Sequence, residues 1–103
     1  MVILNGDTMK KKTKAKVISQ KCIAPGIYDM WLETEISKDA HAGQFIGVYP
    51  FDKSTLLPRP ISICEVDFEK GALRLVYRVA GKGTAEFSGY KEGGEADVIG
   101  VLG

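Results

Sequence analysis

Leu57-Pro58-Arg59-Pro60-Ile61-Ser62-Ile63-Cys64 places one arginine between two prolines and then runs straight into a short apolar strand. Each proline biases the residue before it toward extended backbone and removes an amide donor. The chain here is therefore stiff, and the pattern argues against a central ladder position before Ile61. A stiff arginine followed three residues later by a serine hydroxyl, at the start of a strand, suits a phosphate-bearing ligand. Pro-Arg-Pro alone fits equally well a surface arginine in a loop punctuated by proline. The surrounding residues have to decide.

Working upstream, Phe51 to Leu57 has loop character, and Gln44-Phe45-Ile46-Gly47-Val48-Tyr49-Pro50 reads as a strand, with Gly43 and Gly47 marking a bend or a close backbone approach. Ser37 to Gly43 has loop composition. Ile27 to Thr34 alternates, with Tyr28, Met30 and Leu32 on one face and Asp29, Trp31 and Glu33 on the other, as in a half-buried antiparallel strand. Pro25-Gly26 joins it in a hairpin to a preceding strand over Ala15 to Ala24.

Downstream, the strand begun by the arginine motif continues through Ile61 and Ile63 toward Val66. Phe68-Glu69-Lys70-Gly71 turns the chain, and Ala72 to Val79 alternates as a fifth strand. A short helix over Thr84 to Tyr90, a turn at Lys91 to Glu95 and a last strand over Ala96 to Leu102 complete the pattern. Short strands spaced by Gly and Pro turns predict an all-β fold, a six-stranded antiparallel Greek-key β-barrel with one short helix, closed by its last strand.

The junction Tyr77-Arg78-Val79-Ala80-Gly81-Lys82-Gly83-Thr84-Ala85-Glu86-Phe87 is the second informative place. Gly81 and Gly83 allow a sharp turn, and Gly83 or Thr84 can cap a helix whose first amides point outward as an anion site. A dinucleotide fingerprint would need glycine where Glu86 stands, and a P-loop would need Ser or Thr where Gly83 stands, so neither motif is present. A glycine turn that merely caps a helix is the simpler reading of this stretch in isolation.

Composition narrows the function classes. The chain has 103 residues, enough for one domain, and 14 Lys+Arg against 13 Asp+Glu, so no global field points to nucleic acid or to a basic partner. Residues 1–13, with the apolar head Met1-Val2-Ile3-Leu4, the turn Asn5-Gly6-Asp7 and the run Lys10-Lys11-Lys12, read as a mobile arm, and 14–103 as the domain. The apolar head is too short for a signal sequence and no run approaches membrane-spanning length, so a cytoplasmic protein without a membrane partner is expected. Cys22 and Cys64 form no Cys-x-x-Cys pair, which excludes a zinc knuckle or iron–sulfur cluster built from this chain alone, and both are expected as buried free thiols. His41, the only histidine, has loop surroundings and no partner in sequence, and receives no role.

Arg59-Pro60-Ile61-Ser62-Ile63-Cys64, then Val76-Tyr77-Arg78-Val79, then Gly81-Lys82-Gly83-Thr84 resemble, in order and spacing from about Lys14 to Gly103, the flavin-binding barrel of the ferredoxin reductase superfamily. Within it the resemblance is to the electron transfer subunits of bacterial dihydroorotate dehydrogenases. The resemblance implies FAD as cofactor, Arg59 paired with the pyrophosphate, Ser62 approaching the reactive flavin nitrogen, and helix-start donors at Gly83 and Thr84. Val76, Tyr77 and Arg78 would line the ribityl chain and the isoalloxazine edge. Pro60 and Ile61 lie inside the Arg-x-x-Ser motif; Ile61 stands where many relatives carry Tyr, so apolar contact would replace ring stacking.

The same resemblance implies a catalytic dihydroorotate dehydrogenase subunit as partner and a role in pyrimidine biosynthesis, passing electrons to NAD. Members of that family continue past Val101-Leu102-Gly103 into a nicotinamide-binding domain and a cysteine cluster holding [2Fe-2S]. The expectation is the flavin half alone, inactive by itself and weakened in FAD binding. Two other classes share the barrel: another ferredoxin-NAD(P) reductase-like flavin domain, and a ligand-free interaction module. A nucleic-acid-binding barrel is supported only by Trp31 and the Lys10 to Lys16 arm.

Overall fold

A computed structural model describes residues 12–51 and 57–102. The predicted arm over 1–13 falls almost wholly outside the described residues. Strand β1 (Thr13–Ala24) and β2 (Ile27–Glu33) form the hairpin expected at Pro25-Gly26, where Gly26 takes φ 73°. β3 (Phe45–Tyr49), β4 (Arg59–Asp67), β5 (Ala72–Arg78) and β6 (Glu95–Ile99) follow, with one α-helix, α1 (Lys82–Phe87). The strands close into an antiparallel barrel of order β1-β2-β5-β4-β3-β6. β6 closes it by pairing with both β1 and β3, as Ala15↔Ala96 and Val48↔Val98.

Alternation builds the core. Val17, Met30, Leu32, Ile46, Val48, Ile61, Ile63, Leu73, Leu75 and Val98 face inward from all six strands and join one buried cluster. The barrel is capped at both ends of β5. Near Ala72, a 3-10 helix over Glu35–Asp39, in a stretch read from sequence partly as loop, buries Ile36. Near Tyr77, α1 buries Phe87, whose ring meets Tyr77 edge-on at 6.3 Å between centroids.

Three expectations need correction. β4 starts at Arg59 rather than Ile61, and Pro60 sits within the β3–β4 ladder opposite Gly47. Ile63 N–H donates to Gln44 O at 2.7 Å, so counting back by twos puts Ile61 and Arg59 on the β3-bonding side. The proline nitrogen therefore points to the other edge, where no ladder bond is lost. α1 begins at Lys82 and ends at Phe87, with Gly81 at its N-cap (φ 96°), so neither Gly83 nor Thr84 caps it. Only a glycine holds that φ without strain. Cys22 and Cys64 are both exposed rather than buried: Cys64 falls on the outward phase of β4, whereas Cys22 lies in the run Lys21 to Ala24 that is exposed throughout at the hairpin end of β1.

Candidate functional site

The β4–β5 ladder stops at Ile63↔Leu75, although β4 continues back to Arg59 and β5 continues on to Arg78. Ser62 and Val76 flank that last pair, and beyond them Arg59–Pro60 and Tyr77–Arg78 are not laddered to each other, which leaves a gap in the wall there. Val79 N–H donates to Gly26 O at 2.8 Å, which puts Tyr77 on the β2-bonding side and turns the backbone of Val76 and Arg78 toward the opening. The same alternation turns the Ser62 backbone into it from β4. Ser62, Val76 and Arg78 are thereby brought to the two rims of one gap.

Arg59 and Ile61 pair with Val48 and Ile46, both fully buried, and so lie on the inward phase, whereas Ser62 pairs with the exposed Phe45. Ile61 is 5% exposed and contributes chiefly to the core, and Pro60 is exposed. Residues three apart in a strand face opposite sides, so a ligand touching both Arg59 and Ser62 must cross the strand's free edge. That edge is the gap.

α1 overhangs the Arg59 end of this gap. An idealised Cβ at Gly83 would stand 2.6 Å from Arg59 Nε and 2.9 Å from Arg59 Cγ, so the arginine side chain lies flat on the bare first turn of the helix. The guanidinium makes no hydrogen bond or ion pair among the described residues. First-turn amides at Lys82, Gly83 and Thr84 have no partners inside the helix. Thr84 offers its amide but not its hydroxyl, since Oγ1 accepts from Ala80 N–H at 2.6 Å and donates to Gly81 O at 3.4 Å. Among the described residues, the Arg59 guanidinium, the first-turn amides of α1 and the strand ends beyond Ile63↔Leu75 thus lie side by side, an arrangement whose chemistry suits an anion.

Tyr77, expected with Val76 and Arg78 to line the ribityl chain and the isoalloxazine edge, has its side chain 6% exposed, stacked on Tyr28 at 5.9 Å and donating its hydroxyl to Gln20 Oε1 at 2.7 Å. Burial, and then the neighbouring Tyr28, push its pKa well above the ordinary range, against the hydrogen bond to Gln20. Tyr90 is pushed up likewise, by burial first and then by its hydroxyl's 2.8 Å bond to Glu86 Oε2.

Two supporting residues were missed from sequence. Gln20 Nε2 donates to Phe87 O at 2.7 Å and to Tyr90 O at 2.9 Å. Glu86, noted only as the residue that breaks a glycine fingerprint, accepts from the Phe51 backbone N–H and so ties the chain just past β3 to the helix. Neither carries a local signal, because both act across the fold. On the outer face, Arg74 grips Asp29 with bonds of 3.0 and 2.9 Å and reaches Glu65 at 3.3 Å, a structural clasp across β2, β5 and β4. The guanidinium pKa rises further, chiefly through the Asp29 hydrogen bond. No group of His, Cys, Asp and Glu among the described residues is arranged to hold a metal, and no described helix is long and apolar enough to cross a membrane.

Among solved structures, the NADH-dependent reduced ferredoxin-NADP oxidoreductase of flavin-based electron bifurcation superposes with a TM-score of 0.79 at 33% identity, covering 86% of this chain and 32% of that one. A flavohemoglobin from Malassezia yamatoensis, solved with bound FAD and heme, shares the fold at a TM-score of 0.67 and 20% identity, covering 89% of this chain and 25% of that one. The closed barrel with one α-helix among the described residues is therefore the ferredoxin reductase-type flavin-domain fold.

No family model matches the chain. Over 92 residues it is 40% identical to the dihydroorotate dehydrogenase B (NAD(+)) electron transfer subunit of Streptococcus mutans serotype c, a match covering 89% of this chain and 36% of that protein. The chain is a homologue of the dihydroorotate dehydrogenase B electron transfer subunits. It spans about a third of the length of the curated relatives it matches.

Proposed function

We propose that this chain binds FAD across the gap between β4 and β5, as the flavin-binding part of an electron transfer subunit. Arg59 holds the pyrophosphate together with the amides of Gly83 and Thr84. Ser62 and the backbone edges of Val76 and Arg78 orient the flavin ring, while Pro60 and Tyr77 stiffen the rims and Ile61 backs the motif from the core. A pyrophosphate carries two negative charges, and a planar guanidinium beside bare helix amides suits it better than a point charge would. FAD supplies the one- and two-electron chemistry; the chain contributes position, hydrogen bonds and exclusion of water.

The single observation carrying this reading is the packing of Arg59 onto Gly83, which joins the two sequence motifs into one anion cradle beside an open strand edge. The homology extends the proposal to a soluble, cytoplasmic electron transfer role. In it the chain works with a catalytic dihydroorotate dehydrogenase subunit, carrying electrons from dihydroorotate oxidation to NAD in pyrimidine biosynthesis. The nicotinamide and [2Fe-2S] sites of such an assembly would lie outside residues 14–103.

Titration of flavin-free protein with FAD, followed by quenching of flavin fluorescence, tests the proposal. Saturable binding that Arg59→Ala weakens by on the order of tenfold or more supports it, since a hydrogen bond to a charged group contributes roughly 1.5–3 kcal/mol. Absence of binding at saturating FAD, or indifference to Arg59→Ala, refutes it.

A further inference from the structure

Resting on the flavin reading above, we propose that Gln20, on β1 and outside the flavin motifs, is a positioning residue: its carboxamide locks α1 to β5 and so fixes the gap between the Gly83–Thr84 amides and the Val76–Arg78 rim. Its three polar contacts are all made and all long-range. Nε2 donates to Phe87 O and Tyr90 O at 2.7 and 2.9 Å, and Oε1 accepts from Tyr77 Oη at 2.7 Å. Two carbonyl acceptors on one side and a hydroxyl donor on the other allow only one orientation of the amide.

The lock acts where α1 most needs it. A helix as short as Lys82–Phe87 has no independent stability, and its last carbonyls lack intrahelical donors. Gln20 supplies donors to the helix end and to the residue that leads away from it. The same side chain holds Tyr77, the residue between Val76 and Arg78 on the opposite rim. Movement of the helix and of the strand end is thereby tied to one amide.

Gln20→Glu and Gln20→Leu separate positioning from mere packing. At pH 8 the introduced carboxylate keeps an acceptor for Tyr77 but presents acceptors to two carbonyls; FAD affinity should fall on the order of tenfold, as in Gln20→Leu. At pH 5 partial protonation of the introduced carboxyl returns one donor, so the Gln20→Glu deficit relative to wild type should shrink by several-fold while the Gln20→Leu deficit stays constant. The titratable groups facing this position are Tyr77 from β5, Tyr28 stacked on it from β2, and Tyr90 and Glu86 at α1. All four are shared with wild type and cancel in the ratio.

Amide hydrogen exchange on the flavin-free variants provides a second readout, with faster exchange expected in both at the hydrogen-bonded amides from Ala85 to Ser88. Deficits within twofold of wild type, a Gln20→Glu deficit independent of pH, or unchanged exchange would overturn the role of Gln20. Failure of the wild-type chain to bind FAD would instead overturn the flavin reading, and exchange in α1 still decides whether Gln20 holds the helix.

Discussion

Arg59 lies so close on Gly83 that a methyl group at position 83 would stand 2.6 Å from Arg59 Nε, inside any tolerable contact. The atoms in the way belong to a flexible side chain, so Gly83→Ala displaces the arginine rather than the backbone. Gly83 has no positive φ, so alanine fits its backbone without strain, and in the first turn of α1 it gains some helix propensity over glycine. The expected variant folds at least as well as wild type in urea denaturation, yet binds FAD on the order of tenfold more weakly. A stable Gly83→Ala protein with undiminished FAD affinity would show that Arg59 works from some other position.

Arg59→Lys keeps the charge and loses the fork. Held between Pro58 and Pro60, a lysine reaches a pyrophosphate through one ammonium instead of two parallel N–H groups. Binding should fall between wild type and Arg59→Ala, and its dependence on salt should stay close to that of wild type, because the charge is unchanged. Equal affinity for the lysine and alanine variants would mean that geometry alone matters at this position.

Phe87 is the plug under α1, fully buried among Tyr77 and Tyr90. Truncation to alanine opens a cavity at the barrel end and should cost about 3–5 kcal/mol, measured as a lowered urea midpoint. Since a domain of this size holds roughly 5–15 kcal/mol in total, Phe87→Ala should be only marginally folded at room temperature. A loss below about 1 kcal/mol would mean that α1 is not anchored through this ring.

These variants also mark how far the sequence is legible. Strand phase was readable wherever alternation was clean, as from Ile27 to Glu33 and from Ala72 to Arg78, because one face is sealed in the barrel. The Arg59 and Gly81–Thr84 motifs were legible as anion-binding chemistry. Their juxtaposition was implied only by the family resemblance and not by the residues themselves, since it depends on how β4, β5 and α1 meet in space. Gln20 was invisible for the same reason: its partners are 57 to 70 residues away. The thiols were misplaced because composition favours burial for free cysteine, whereas strand phase puts Cys64 outside and the uncovered hairpin end of β1 exposes Cys22.

That exposure makes a direct prediction. Both thiols should react with a water-soluble disulfide reagent in the native protein, without denaturant, and with a stoichiometry of two per chain. Reaction only after unfolding would place either cysteine back inside.

The buried phenols set the alkaline limit of the fold. Tyr77 and Tyr90 both have pKa values raised above the ordinary 10.0 by burial, so the folded state favours their neutral forms. The stabilisation is complete below about pH 10, where folded and unfolded chains both hold the proton. It is lost as pH rises beyond 10 toward the folded values, because the unfolded chain then releases protons the folded one retains. The Lys14 ammonium, held protonated first by its hydrogen bond to Asp97, loses its contribution in the same direction. A falling thermal midpoint between pH 9.5 and about 11.5 therefore does not by itself identify the tyrosines. Tyr77→Phe and Tyr90→Phe do: each phenylalanine variant should show a shallower fall than wild type, and wild-type absorbance at 295 nm should show two phenols ionising only as the barrel unfolds. Slopes unchanged in both variants would assign the alkaline loss to lysines and remove the buried phenols from the account.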